Sequence, residues 1–193
     1  LSQQYLSDYD VSIYIDGNID IIGNIDSLLA RHKSFRMLAF SHPLRQCIYA
    51  EGAACIAEGK GNPQMITKQL ESYAQQGHPE DFGLIEANVL IRRHSDETVA
   101  RVMEAWWQEL IRWSQRDQLG FPFVARRYGF WPTLMNRESA RGTSPFFILK
   151  KDVGHRRRDV DIWQRIRSLL DAHILWRLRR DRGSPQPIDK SVK

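Results

Sequence analysis

The sequence predicts an α/β layered fold, and three observations carry that expectation. Residues 11–15 alternate β-branched Val11, Ile13 and Ile15, and residues 89–91 form an apolar run, so both read as buried strands. Segments around 43–57, 63–75 and 96–113 carry apolar side chains at helical spacing. Strands and helices alternate along the chain, the pattern of a layered α/β domain. With 193 residues, 42% hydrophobic and 26% charged, the chain suits one domain with a substantial core. No run approaches the roughly 18 apolar residues of a membrane-spanning helix, and no signal-peptide pattern opens it. Two cysteines, Cys47 and Cys55, fall in a segment read as helix. They make no disulfide framework and fit a reducing, cytoplasmic compartment.

Taken in order, residues 1–10 are polar and lead into the first strand, which Gly17 ends in a bend. Ile19, Ile21 and Ile22 continue an apolar stretch, and Gly17-Asn18-Ile19-Asp20 recurs once as Gly23-Asn24-Ile25-Asp26, too briefly for a repeat architecture. Asp26 or Ser27 is placed to cap a short helix through Leu28, Leu29 and Ala30. Residues 37–40 read as a short strand. Pro43 suits the first turn of a helix to about residue 57, with Leu44, Cys47, Ile48, Ala54 and Cys55 as its buried stripe. Glu51 falls on that stripe, where a carboxylate must be paired, line a polar site, or sit at the stripe edge and reach water.

Residues 59–63 read as a loop. A helix follows on Met65, Ile66, Gln69, Leu70 and Tyr73, closed by Gly77 and Pro79. Residues 84–92 read as a second buried strand ending at Arg92-Arg93-His94. Ser95 or Asp96 caps the longest helix, whose inward stripe is Val99, Val102, Met103, Trp106, Trp107, Leu110 and Trp113. It stops near Ser114, and a new turn at 116–119 is interrupted by Gly120 and Pro122. Residues 126–150 read as irregular. A basic amphipathic helix is expected from 160 to about 180, with Ile162, Trp163, Ile166, Leu169, Leu170 and Ile174 on its apolar side. The expected organisation is an α/β domain over 1–158, this helix over 159–182, and a tail of disordered composition over 183–193.

Chemistry concentrates first at Asp16-Gly17-Asn18. Ligands of open α/β sheets bind at the carboxyl ends of strands, and hard cations such as Mg²⁺ and Mn²⁺ take carboxylate and amide oxygens together with substrate phosphates. The same tripeptide is also good hairpin-turn chemistry. An EF-hand is excluded, because its sixth and twelfth positions, Gly and Glu, are Ile21 and Ser27 here. Net charge is +5 with pI near 9.4. Residues 150–182 hold eleven Lys/Arg against five Asp/Glu, a difference of six that exceeds the whole-chain surplus. Such a patch suits phosphates of a nucleotide, of nucleic acid or of an anionic membrane, and its sign alone does not choose among them. Neither zinc-finger spacing nor another nucleic-acid reading module is present, so no nucleic-acid partner is expected.

Six ordered motifs then bring a family into view. They are residues 9–18 (Tyr9-Asp10-Val11 through Asp16-Gly17-Asn18), 42–51 (His42-Pro43-Leu44-Arg45 through Glu51), Gly83-Leu84-Ile85-Glu86, Arg92-Arg93-His94, Trp106-Trp107, and Ser114-Gln115-Arg116-Asp117-Gln118-Leu119. Covering roughly 5–125, they resemble the glycosyltransferase-like domain of plant mucilage-related and turgor-regulation-defect proteins. That family is similar to A-type glycosyltransferases, so the resemblance implies a Rossmann-like nucleotide-sugar transferase fold. It makes Asp16-Gly17-Asn18 the counterpart of the Asp-x-Asp metal motif, with Asn18 one charge short, and His155 the candidate C-terminal metal ligand. Residues 88–91 look like the acceptor-side strand, and Asp117-Gln118 like the acidic-amide pair beside the transferred sugar. The A-type fold begins with a strand and base-binding loop that nothing before Leu1 supplies, so the expectation is a piece lacking its N-terminal strands.

The expected activity is metal-dependent transfer, with Mn²⁺ or Mg²⁺, from a nucleotide-sugar donor to a glycan or lipid-linked acceptor in polysaccharide synthesis. Asp16, Asn18 and His155 would hold the cation, which neutralises the diphosphate leaving group. Arg45, Arg92 and Arg116, with His42, His94 and Gln118, would bind substrate. Asp117 or Glu51 would orient or deprotonate the acceptor hydroxyl. Bland readings stand beside these: the arginines as ion-paired residues, Asp117 as a helix cap, His42 bonding backbone, His94 ending a strand. His32 and His78 read as surface residues. The rival functions are a non-catalytic basic module peripheral to a membrane and a metal-dependent phosphoester hydrolase.

Overall fold

A computed structural model of the chain describes residues 2–135 and 138–150. Its elements run α1 (Ser2–Tyr5), β1 (Ser12–Ile15), β2 (Ile19–Ile21), α2 (Ile25–Arg31), β3 (Met37–Ser41) and α3 (Ile48–Ala57). There follow α4 (Pro63–Gln75), β4 (Ile85–Arg92), α5 (Glu97–Arg112), α6 (Asp117–Arg127), β5 (Thr133–Met135) and β6 (Phe147–Leu149). The protein is thus mixed α/β, as its alternating periodicities predict. Among the described residues no helix is long and apolar enough to cross a membrane. The basic helix and tail expected over 159–193 lie outside the described residues.

Four strands form one mixed sheet in the order β1-β4-β3-β5. β4 is antiparallel to both β1 and β3, while β5 runs parallel to β3. Because β4 alone is reversed, its start shares an edge with the ends of β1 and β3: Ile15 pairs with Val89 and Ser41 with Ile85. The β3–β4 register slips between Ala39, opposite Leu90, and Phe40, opposite Glu86. A slip of this kind changes which face a side chain meets. Met37, Ala39 and Leu90 enter one core with Tyr73, Trp106 and Phe121 of the helices. Leu38, Phe40, Val89 and Ile91 enter a second core with Leu28, Ile19 and Phe147, beneath the β2–β6 ribbon.

Local signals account for most helix ends. The side chains of Asn62 and Asp96 accept first-turn N–H groups of α4 and α5, satisfying donors that lack an intrahelical partner. After α4, Gly77 takes φ +72°, a backbone state that suits glycine. Elsewhere the structure corrects the sequence reading. The cap of α2 is Asn24, which accepts from Ser27 N–H, and not Asp26 or Ser27. Ile21 and Ile22 are exposed. Helix α3 begins at Ile48, five residues later than Pro43 implies, and Leu44 is 76% exposed. The cause is His42, whose Nδ1 accepts the N–H groups of Leu44 and Arg45 and ties 42–45 into a turn.

On α5, Trp107 faces water at 51% exposure, and the buried stripe instead takes Glu109. Tyr73 supplies the reason, since its hydroxyl donates to Glu109 Oε2 and accepts from Gln69 Nε2. Helix α6 continues straight through Gly120 and Pro122. A helical proline forgoes one backbone hydrogen bond, at roughly 3 kcal/mol. Here burial of Leu119, Phe121, Phe123 and Val124 offsets it. Gly120 lies against α5, where a Cβ would just reach van der Waals contact, 3.4 Å from Glu109 Cβ and Trp106 Cδ1. The stretch 126–150, read as irregular, contributes β5 and β6.

His78 is buried at 5% exposure, contrary to its reading as a surface residue. Neither ring nitrogen has a hydrogen-bond partner, and Tyr49, Phe82 and Phe123 surround the ring at centroid distances of 6.4, 5.5 and 6.0 Å. Burial, with Arg126 nearby, pushes its pKa down from 6.5 to about 4. The folded state therefore resists a proton that the unfolded chain accepts. Stability should be full above about pH 6.5 and fall toward pH 4, by up to about 3 kcal/mol from this group. Urea unfolding across that window checks it: His78→Phe should flatten the acid limb.

Candidate functional site

The polar side chains gather at the edge where β1 and β3 end and β4 begins. Asp16 N–H donates to Asn88 O at 2.9 Å, extending the β1–β4 ladder by one residue. Its carbonyl then accepts Ile19 N–H at 2.9 Å, closing Asp16-Gly17-Asn18 into a tight turn. Asp16 is half-buried and Asn18 exposed. Tyr14, two residues back on the same strand face, donates its hydroxyl to Asp16 Oδ1 at 2.7 Å. That bond to an anion, with partial burial, pushes the phenol up to about 12.

Asp117, 101 residues later in the chain, meets the same corner at the first position of α6. The indole N–H of Trp106 donates to its carbonyl at 2.9 Å, and Gln118 Nε2 donates to Ile85 O at 3.3 Å. Helix α6 is thereby fastened to both α5 and the start of β4. The Asp117 carboxyl is raised above its ordinary range, chiefly by burial, with the Asp16 charge adding to it. Arg92 comes alongside Tyr14, and burial lowers its pKa. Its Nε is buried without a hydrogen-bond partner.

A second group lies at the end of β3. Glu51 is 4% exposed and accepts from Arg45 Nε, while His42 Nε2 stands 3.5 Å from its Oε2 and the Cys55 thiol 3.5 Å from its Oε1. Because His42 Nδ1 accepts two backbone N–H groups, the ring proton sits on Nε2, facing Glu51. Burial lowers the His42 pKa, so the ring is neutral near pH 7. Burial raises the thiol of Cys55. Both cysteines are free. Arg116 joins this group through Cys55, and its Nε is buried without a hydrogen-bond partner.

A third group escaped the sequence reading. Glu86 is 1% exposed and accepts from Ser139 Oγ at 2.8 Å and from Arg141 Nε at 2.5 Å. Glu86 and Arg141 both act on the His42 ring. A carboxylate within the apolar run 84–91 was the available signal, the same one that singled out Glu51. Asn88, which opens the expected acceptor-side strand, has its Oδ1 buried without a partner, and its backbone carbonyl accepts the Asp16 N–H.

Of the residues expected at the site, Asp16, Asn18, His42, Arg45, Glu51, Arg116, Asp117 and Gln118 border this edge, while Arg92 ends β4 opposite Ser12 and Met37 and is linked to the site through Tyr14. His94 does not: it follows the far end of β4, and its Nε2 lies 2.7 Å from Leu6 O. His155 lies outside the described residues. Among the described residues no three of His, Cys, Asp and Glu converge as a metal cluster. A protein-only metal cage is therefore not built from them. Mg²⁺ and Mn²⁺ need less, one or two carboxylates with substrate phosphates and water. Asp16 fits that donor set, and Asn18, two residues on in the same turn, carries a second oxygen donor.

A mixed α/β sheet with polar groups at its carboxyl edge is compatible with the Rossmann-like class of ligand-binding domains. The chain belongs to the TOD1/MUCI70 glycosyltransferase-like domain family, whose profile matches residues 1–139. No curated protein and no solved structure matches it.

Glu51 holds together a loop with no regular structure of its own. Removing one partner of a buried ion pair costs roughly 3–5 kcal/mol. Glu51→Gln should therefore lower stability by about that amount, read as the urea midpoint at neutral pH. Adding Arg45→Met should recover part of the loss.

Proposed function

We propose that this domain is a metal-dependent glycosyltransferase of A-type architecture, moving a sugar from a nucleotide-sugar to a glycan or lipid-linked acceptor in polysaccharide synthesis. The observation that carries this is the meeting of Asp16 and Asp117 at one strand-end edge, with Asp117 raised by burial and by Asp16 itself. Family membership supplies the general glycosyltransferase-like character.

In this reading Asp16 holds the cation with Asn18 and, from the C-terminal segment, His155. When bound there, the cation supplies positive charge to the departing diphosphate. Tyr14 orients the Asp16 carboxylate through its 2.7 Å hydrogen bond. Asp117, raised toward neutrality, orients the acceptor hydroxyl or takes its proton. Arg116 and Arg92, each with an unpartnered Nε, stabilise charge on phosphate or sugar oxygens. Glu51 already receives Arg45 and faces the Nε2 proton of His42, so it shapes the 42–47 loop and leaves the base role to Asp117. Gln118 fixes the α6 start on β4. The basic segment 159–182 would bring the domain to the cytoplasmic face of an anionic membrane, where a lipid-linked acceptor lies.

Incubation of the full chain with a panel of nucleotide-sugars and Mn²⁺ tests this by release of nucleoside diphosphate. Asp117→Asn, nearly isosteric, should cut the rate by about 10²–10⁴-fold with unchanged thermal stability. Asp16→Asn should raise the Mn²⁺ concentration needed for half-maximal rate. Phosphate release without any sugar donor would indicate a hydrolase. No metal-dependent thermal shift with nucleotides would indicate a binding module.

A further inference from the structure

We infer that Arg141, tethered by the buried Glu86, is the guanidinium that receives a phosphate oxyanion at this edge; the inference rests on the transferase reading for its ligand, the diphosphate of the donor. Arg141 lies beyond the residues that the family profile matches. It follows the short strand β5 in a loop whose neighbour Ser139 completes the anchor. Ser139 Oγ donates to Glu86 Oε2 at 2.8 Å and accepts Arg141 N–H at 3.1 Å. Backbone and side chain of Arg141 are thus both referred to one buried carboxylate.

Three arginines, Arg45, Arg116 and Arg141, border this edge, a fourth, Arg92, stands alongside Tyr14, and they differ in access. The Arg45 side chain is 14% exposed and is spent on Glu51. Arg92 and Arg116 are half-buried. Arg141 has a side chain 57% exposed while its carboxylate partner is 1% exposed. A guanidinium carries five N–H donors in a planar fork. Arg141 gives Nε to Glu86, and no hydrogen bond from Nη1 or Nη2 to another described residue is formed. A fork fixed at one end and open at the other matches two oxygens of a phosphate. Holding the side chain in place beforehand lowers the entropy lost when a ligand arrives.

The loop also places the fork at the edge. Glu86 pairs with Phe40, two residues before His42, at the carboxyl end of β3. The His42 ring is reached by Glu86, Arg141, Glu51 and Arg45 together. Two buried carboxylates each grip an arginine by Nε, and both pairs act on the neutral imidazole of His42. Neutralising Glu86 alone would need one positive charge and no open fork.

Calorimetric titration of the full chain with UDP, GDP, inorganic pyrophosphate and inorganic phosphate, with and without Mn²⁺, tests this. Arg141→Gln should weaken pyrophosphate and nucleoside-diphosphate binding by at least about tenfold. Arg141→Lys keeps the charge beside Glu86 and should lose several-fold, which serves if the glutamine variant fails to fold. Ser139→Ala, which loosens Glu86 and keeps the fork, should lower thermal stability more than affinity. Equal affinities for wild type, Arg141→Gln and Arg141→Lys would overturn the inference, leaving Arg141 as a charge partner of Glu86. Pyrophosphate binding that depends on Arg141, without any nucleoside-diphosphate binding, would sustain the oxyanion site and sink the nucleotide-sugar reading. Arg141-dependent binding of inorganic phosphate as tight as that of pyrophosphate would assign the site to free phosphate. A wild-type chain that binds none of the four would overturn both.

Discussion

Two carboxylates, Glu51 and Glu86, are almost wholly removed from water, and an ionised carboxyl in that position costs several kcal/mol unless it is paired and hydrogen-bonded. Each is compensated by the Nε of an arginine and by further donors: His42 and Cys55 at Glu51, Ser139 at Glu86. Neither arginine sits on a helix or strand. The segments that carry them, 42–47 and 138–141, lie outside helices and strands and are fastened by a few backbone bonds, such as His42 N–H to Leu84 O at 2.9 Å and Leu149 N–H to Ala140 O at 2.6 Å. Buried charge adds to these, and it also faces His42. Replacing these pairs by apolar side chains of similar volume would be tolerated by the fold, as buried ion pairs often are. What would be lost is the shape of the edge.

The edge exists because β4 runs against both its neighbours. In a sheet of parallel strands the carboxyl ends line up by themselves. Here the reversed strand delivers its beginning to that line, which brings Glu86 and Asn88 beside the ends of β1 and β3. The register slip at Ala39/Phe40 turns Glu86 to the face of Ser139 and Arg141, while Leu90 stays on the helical side with Ala39. One strand thus serves both faces: its first half sets Glu86 and Asn88 between the core residues Ile85 and Ala87, and its second half sends Leu90 to one core and Val89 and Ile91 to the other. The opposite end of the sheet is tied differently, by the forked Arg36–Asp96 pair at 2.9 and 2.7 Å and by Arg93 on the Phe35 carbonyl at 3.0 Å.

Sequence periodicity was enough to find α4, α5 and the two central strands, because those elements report their own burial through neighbours three, four or two residues away. Glu51 was legible for the same reason, as a carboxylate on an apolar stripe. The delayed start of α3 was not, since it depends on what the His42 ring accepts from the chain beyond it. Pro122 misled in the same way: local propensity argues against a helix there, and packing against Trp106 and Glu109 overrides it. Tyr14 was hidden by its place in an alternating strand, where an aromatic residue is unremarked. Arg141 had no local signal at all, its partner lying 55 residues earlier.

Asp117 shows how two opposing forces set one carboxyl. As the first residue of α6 it sits where backbone N–H groups and the helix dipole favour a negative charge, and its Oδ1 accepts the Gln118 N–H at 2.8 Å. Arg116 beside it acts in the same sense. Those influences are typically worth about 0.3–1 kcal/mol each near a surface. Burial acts the other way and is the largest influence on this group, and the Asp16 charge adds to it, so the carboxyl ends above its ordinary range. A cap at a solvated helix end would show the reverse, as Asp96 does at α5, where the Arg36 bond holds it low. Two aspartates at helix starts, one the cap of α5 and the other the first residue of α6, are therefore driven in opposite directions by their surroundings. The one driven toward accepting a proton is the one that stands beside Asp16.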